Sequence, residues 1–175
     1  VATSAYLDPE TADAPAGAVL VFLSGWDEIA RTQERCADDD VLGDGRKYVV
    51  TPLHAGLPAE RQRDVFKRPP PGARKVVLAT NVAETSITID DVAVVVDTGR
   101  AKAMAYDAHL GLAVLAPTWI SQASSQQRRG RAGRTRAGVC FRLYSRARHA
   151  SLAPHAPSEL RTTPLAEVIV QAKRL

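Results

Sequence analysis

Nine consecutive residues, Gln126-Gln-Arg-Arg-Gly-Arg-Ala-Gly-Arg134, combine amides, guanidiniums and glycines in a spacing suited to phosphate chemistry. Read as part of a helix capped by Ser121 and running to Arg134, positions i, i+4 and i+7 share a face, and these are Gln127, Arg131 and Arg134. Guanidiniums presented together can stabilise the charge on a transferring phosphoryl group, and an amide beside them can orient a water. Gly130 and Gly133 each cost about 1 kcal/mol against Ala inside a helix. Close approach of the backbone to a ligand or another surface would account for them. The plainer alternative is a basic, solvated, Gly-broken helix. A second segment, Ala79-Thr-Asn-Val-Ala-Glu-Thr-Ser-Ile-Thr-Ile-Asp90, sets hydroxyls, an amide and carboxylates directly after an apolar run. Such groups at the carboxyl end of a strand can hold a nucleic-acid backbone or a nucleotide. The alternative there is a loop whose Ser, Thr and Asp satisfy local backbone groups.

The elements that must position these segments alternate between strand and helix. Ala18 to Ser24, Lys47 to Pro52, Lys75 to Thr80 and Val92 to Asp97 read as buried strands, with a last strand at Val139 to Tyr144. Between them, Trp26 to Cys36 has Trp26, Ile29 and Ala30 at helical spacing, with Asp27 and Glu28 in the first turn. Pro58 to Phe66 reads as a short helix, and Arg68-Pro-Pro-Pro-Gly72 as a stop. Ala101 to Tyr106 and Leu112 to Leu115 flank His109-Leu110-Gly111 as a hairpin, and Pro164 to Leu175 reads as a final helix. Strands apolar throughout, separated by helices, indicate an α/β domain with a parallel sheet covered on both faces.

Charge points to a polyanion. The net +4 conceals an acidic first third: residues 1–60 carry 4 Lys/Arg against 11 Asp/Glu, and residues 61–175 carry 19 against 8. Arg128 to Arg148 holds eight arginines and no acid, and guanidinium forks suit phosphate oxygens. At 175 residues, 45% hydrophobic and 24% charged, the chain is of single-domain size and not compositionally disordered. No apolar run reaches membrane-span length, and no secretory pattern opens the sequence, so no membrane partner is expected. Cys36 and Cys140 are too few and too distant for a disulfide framework or zinc cluster and read as reduced thiols of a nuclear or cytoplasmic protein. His54, His109, His149 and His155 are scattered.

Three segments together resemble a known family. Val19-Leu-Val-Phe-Leu-Ser-Gly-Trp-Asp-Glu-Ile29 resembles helicase motif IV, Ala79 to Ile89 motif V, and Gln127 to Arg134 motif VI. Their order and form are those of the DEAH/RNA helicase A group of superfamily-two helicases. The Phe66-to-Arg74 loop and Thr118-Trp119-Ile120 look closest to its RNA helicase A and G-quadruplex-resolving branch. The resemblance implies a RecA-like parallel sheet with helices on both faces and a β-hairpin extension, the second of two motor domains that close on ATP. No Gly-x-x-x-x-Gly-Lys-Ser/Thr loop or Asp-Glu-x-His box is present. ATP and Mg2+ would thus be held mostly by a first domain, and this piece alone would be inactive.

The same resemblance assigns Arg134 as arginine finger, Arg131 as second γ-phosphate contact and Gln127 as sensor of water and γ-phosphate. It sets Thr88 and Asp90 near the nucleotide, Ser86 as a sensor of nucleotide state, and Phe66 on adenine, where a core Phe is the competing reading. Thr80 and Asn81 would touch RNA phosphates, with Ser24 and Gly25 beside the strand; Trp26 stands where motif IV ordinarily has a polar residue. The expected division is 1–17 as linker from an upstream RecA-like domain, 18–157 as this domain, and 158–175 as the start of a winged-helix domain. Thr98 to Ala116 matches the family's hairpin, and Leu160 to Leu165 the winged-helix entry. The expected partner is RNA, single-stranded or structured, including a G-quadruplex. A catalytically inactive scaffold on the same fold and a DNA helicase are the competing readings.

Overall fold

The computed structural model describes residues 17–107, 112–134 and 137–157, with residues 169 and 173. The hairpin tip at His109 to Gly111, nearly all of the upstream linker and most of the final helix lie outside the described residues. The five predicted strands form one parallel sheet. In chain order they are β1 (Ala18–Phe22), β2 (Tyr48–Leu53), β3 (Arg74–Ala79), β4 (Val92–Asp97) and, after a separate hairpin, β7 (Val139–Arg142). Their order across the sheet is β2-β3-β1-β4-β7. Because all five run the same way, every strand ends at one edge of the sheet. The loops after β1, β2, β3 and β4 therefore gather there, as expected for a RecA-like α/β domain.

Alternation along the strands divides the core in two. Ala18, Leu20 and Phe22 pack with Leu53, Val77, Ala79, Val92 and Val95 on one face. Val19, Val76, Leu78, Val94 and Val96 pack on the other. This period of two is the geometry of a strand buried on both sides, broken once in β4, where a register shift opposite Ala18 and Val19 lets Val92 and Val95 share a face. Helix α1 (Trp26–Asp38) covers the second face through Ile29. The first face is covered by Val65, from the turn of 3-10 helix at Arg63–Phe66, and by Ala83 and Ile89. The predicted helix from Pro58 is split: α2 (Ala59–Gln62) tightens into that 3-10 turn, burying Val65 and leaving Phe66 54% exposed. The core reading of Phe66 is thereby excluded. Trp26 also departs from expectation. It is 40% exposed while Ile29 is buried, because the first residue of α1 lies beyond the strand ends.

Three further elements build the rest. Helix α3 (Val82–Thr85) is a single turn after β3. The hairpin strands β5 (Arg100–Asp107) and β6 (Leu112–Trp119) pair antiparallel from Arg100 opposite Trp119 to Asp107 opposite Leu112. Helix α4 (Gln122–Arg129) starts at Ser121, whose hydroxyl accepts from the Ser124 N–H as the sequence predicts. A last short helix, α5, covers Arg146–Ala150. The hairpin's base is closed by Gly99, at φ +73°; a Cβ there would stand 2.7 Å from Tyr144 Cδ1 and 3.0 Å from Trp119 Cζ3. Only glycine accommodates both the left-handed backbone and the two rings. Among the described residues no helix is long and apolar enough to cross a membrane.

Candidate nucleic-acid and nucleotide interface

Helix α4 does not run to Arg134. It stops at Arg129, and the chain tightens into i→i+3 turns, with Arg131 N–H on the Arg128 carbonyl and Ala132 N–H on the Arg129 carbonyl. Gly133 then takes φ +84°. A Cβ on Gly138 would stand 2.5 Å from the Gly133 nitrogen and 2.9 Å from the Ala93 carbonyl oxygen, so this turn is pressed onto the start of β4. Gly133 and Gly138 therefore serve the exit from the helix and its packing, whereas Gly130 keeps a right-handed backbone where a Cβ would make only ordinary contacts of 3.4 and 3.5 Å. Gln127 remains on the helix and exposed, whereas Arg131 and Arg134 project from the turn, not from a shared helical face.

The turn nonetheless gathers a cationic group. Arg134 Nη1 donates to Thr88 Oγ1 at 3.3 Å. Arg131 is partly buried, and its Nε and Nη1 are shielded from solvent with no hydrogen-bond partner. Burial first, and then the charge of Arg134, push the Arg131 guanidinium below its ordinary range, against the opposing pull of Glu84. Ser86, Thr88 and Asp90 are all exposed on the segment that leads from α3 toward β4. That segment reaches the amino edge of the sheet, where the Asp91 carbonyl accepts from Ala18 N–H at the start of β1.

At the opposite, carboxyl edge stand the other predicted residues. Ser24 and Gly25 follow β1, and Thr80 and Asn81 follow β3, its neighbour in the sheet. Thr80 is buried and Asn81 exposed, so Asn81 is the one of that pair turned to solvent. The Ser24 carbonyl accepts from Lys102 N–H on β5, which ties this loop to the hairpin.

Beneath the same carboxyl edge lies a buried charge cluster that sequence reasoning missed. Arg128 is fully buried. Its Nε donates to Glu84 Oε2 at 3.0 Å, and its Nη1 to Asp97 Oδ1 at 2.9 Å and to the Arg100 carbonyl at 3.2 Å. Glu84 accepts from Ser124 Oγ at 2.5 Å; Asp97 accepts from Tyr144 Oη at 3.0 Å and from Gly99 N–H at 2.9 Å. Burial pushes the Tyr144 hydroxyl up to about 12. One arginine thus links α3, the end of β4, the hairpin and α4. A local signal existed: α4 has almost no apolar residue, so Ser121, Ser125 and Arg128, at i, i+4 and i+7, had to be its inner face. A carboxylate also closes the otherwise apolar Val92–Asp97. Burial raises both thiols, Cys36 and Cys140, which keeps them protonated and poor nucleophiles.

A parallel sheet of this order, an appended hairpin and an arginine-rich turn beside the hydroxyl loop define a RecA-like α/β domain of the helicase class. The chain belongs to the helicase conserved C-terminal domain family, whose model matches residues 4–136. It is 52% identical over 159 residues to the DExH-box ATP-dependent RNA helicase DExH1 of Arabidopsis thaliana, covering 91% of this chain and 16% of that protein. It is 43% identical to the human ATP-dependent DNA/RNA helicase DHX36 over the same shares. The crystal structure of the Escherichia coli DExH-box NTPase HrpB superposes with TM-score 0.78 at 35% identity, covering 88% of this chain and 19% of that one. The chain spans 10% to 16% of the length of the curated relatives it matches.

Proposed function

We propose that this chain is the second motor domain of an ATP-dependent RNA helicase. Arg134 acts as arginine finger, Arg131 as second contact to the γ-phosphate, and Gln127 orients the attacking water. The observation that carries this reading is the pair of Arg131 nitrogens, Nε and Nη1, held dry and unpartnered beside Arg134. An unsatisfied buried donor costs about 1–3 kcal/mol, which a phosphate oxygen would relieve. The Thr88 hydroxyl and exposed Ser86 and Asp90 extend the same anion- and ribose-binding surface, and exposed Phe66 offers its ring to adenine. These residues fit a nucleotide triphosphate, which supplies the phosphoryl group when bound. Among the described residues no three His, Cys, Asp or Glu gather as a metal site. In this reading Mg2+ enters with the phosphates, held mostly by a first RecA-like domain.

Single-stranded RNA runs along the carboxyl edge at Ser24, Gly25, Thr80 and Asn81, with exposed Asn81 and half-buried Ser24 meeting it and buried Gly25 and Thr80 shaping the loops behind them. Such contacts fix position and carry no base sequence. Residues 80–91 span both edges, and Glu84 on that span is clamped by Arg128. Strand grip and nucleotide state are therefore linked through one short segment. The domain extends over 18–157, with 1–17 leading in from the first motor domain and 158–175 opening a winged-helix domain. Structured RNA, including a G-quadruplex, is the proposed unwinding substrate. DNA is a second one, since the relative DHX36 is named for both nucleic acids.

The test is ATP hydrolysis by the intact protein with and without single-stranded RNA, beside Arg134→Ala. Hydrolysis stimulated by RNA that falls on the order of a thousandfold in the variant is expected. No hydrolysis with RNA binding intact would refute the motor and leave the inactive scaffold.

A further inference from the structure

The carboxyl edge carries an aromatic pair that the proposed contacts do not use. Trp26 follows β1 and His54 follows β2, and β3 lies between those strands. Their rings meet across the end of β3, with centroids 5.8 Å apart and planes inclined at 57°. Trp26 is 40% exposed, an unusual state for so large an apolar ring at the head of a helix whose Ile29 is fully buried. His54 is oriented: its Nδ1 accepts from Gly56 N–H at 3.0 Å, so in the neutral ring the proton sits on Nε2 as a donor. On one flank Trp26 borders a groove of about 660 Å3 that passes exposed Arg61 and runs toward the Asp64–Lys67 ion pair, 2.7 Å long. On the other, Asp27 is neutralised by Lys102 at 3.1 Å.

We propose that Trp26, supported by His54, is a stacking platform for one base of a single-stranded nucleic acid crossing this edge. The inference rests on the reading of the edge as the nucleic-acid path, and adds a base contact to a set that otherwise touches only backbone. An exposed indole face offers any base a partner regardless of sequence, and the inclined imidazole closes one side of the seat with a hydrogen-bond donor. Exposed Arg61 on the groove side and the neutralised Asp27 suit the strand's phosphates. Exposed Asn81, at the end of the intervening strand, lies where the adjoining phosphate would pass. A motor built this way grips its strand partly through a base, so its hold persists at salt concentrations that weaken phosphate contacts.

The experiment is fluorescence anisotropy of the intact protein with labelled oligouridine of about 12 nucleotides and with a fully abasic strand of equal length. Trp26→Ala should weaken oligouridine binding on the order of tenfold to a hundredfold. Trp26→Phe should recover most of it, and Trp26→Leu, which keeps an apolar side chain at the site, should not. The slope of log affinity against log salt should stay unchanged, because no counterion-releasing contact is removed. The abasic strand should bind wild type and Trp26→Ala alike. Wild-type binding that Trp26→Ala and Trp26→Leu leave intact overturns the platform while leaving the nucleic-acid path standing. An effect equally large on the abasic strand, or one that lowers the salt slope, also overturns it. A wild-type protein without affinity for either strand refutes the path itself, and the platform with it.

Discussion

Removing the Arg128 charge is the most demanding test of the fold as described. In Arg128→Met, an unbranched side chain fills much of the space while Glu84 and Asp97 lose the cation that pairs directly with both among the described residues. Asp97 is 0% exposed and Glu84 8%, so neither can turn readily to water. Breaking a buried pair from one side costs about 3–5 kcal/mol. Here one guanidinium serves two carboxylates at 3.0 and 2.9 Å, so a value near the upper end, about 5 kcal/mol, is expected. Against a typical total of about 5–15 kcal/mol, that brings the chain close to unfolding. Urea denaturation followed by circular dichroism measures it, with the change in the midpoint and not in the slope. Arg128→Lys keeps the charge but not the fork, and should fall between wild type and Met. Adding Glu84→Gln and Asp97→Asn to Arg128→Met should restore most of the loss, since the penalty belongs to the stranded charges. A loss below about 1 kcal/mol in Arg128→Met, or no recovery in the triple variant, would refute the assignment of the cluster as an essential charge balance.

Two other positions give independent checks beside the Arg134 and Trp26 variants. Gly99→Ala combines a left-handed backbone with Cβ contacts of 2.7 and 2.8 Å to Tyr144, and should cost about 2–4 kcal/mol in urea unfolding. Tyr144 should ionise near 12, after tyrosines at their ordinary value of 10, as followed by near-ultraviolet phenolate absorbance. Its folded value is raised, so its contribution to stability is complete below pH 10 and is lost as pH rises toward about 12; Tyr144→Phe should flatten that part of the stability curve.

The sheet was the most legible part of the fold. Val92 to Asp97 matches β4 at both ends, and the other strands shift by one or two residues, because a run apolar on both faces carries its own signature. The exit from α4 was not legible. Periodicity alone extended the helix to Arg134, whereas the close approach of Gly138 to Gly133, a packing event, ends it at Arg129. Arg131 and Arg134 were found by type and motif; their placement depends on that turn. Phe66 stood between core and surface until Val65 proved to be the residue that faces the sheet. Arg128 was hidden among seven neighbouring arginines, since its partners lie 44 and 31 residues earlier and no local window contains them.

Those separations have a consequence for synthesis. Glu84 and Asp97 leave the ribosome well before Arg128, so β4 and α3 exist for a time with two carboxylates and no cation to accompany them inward. The sheet can associate through its apolar faces, but the end of β4 cannot go dry until α4 emerges. β7, made later still, pairs with β4 at the edge of the sheet formed by the described residues. Completion of the domain is thereby deferred to its last third, and a chain cut short of Arg128 would keep its strand ends hydrated and its hairpin base open. The arginine that balances the finished core also times its closure.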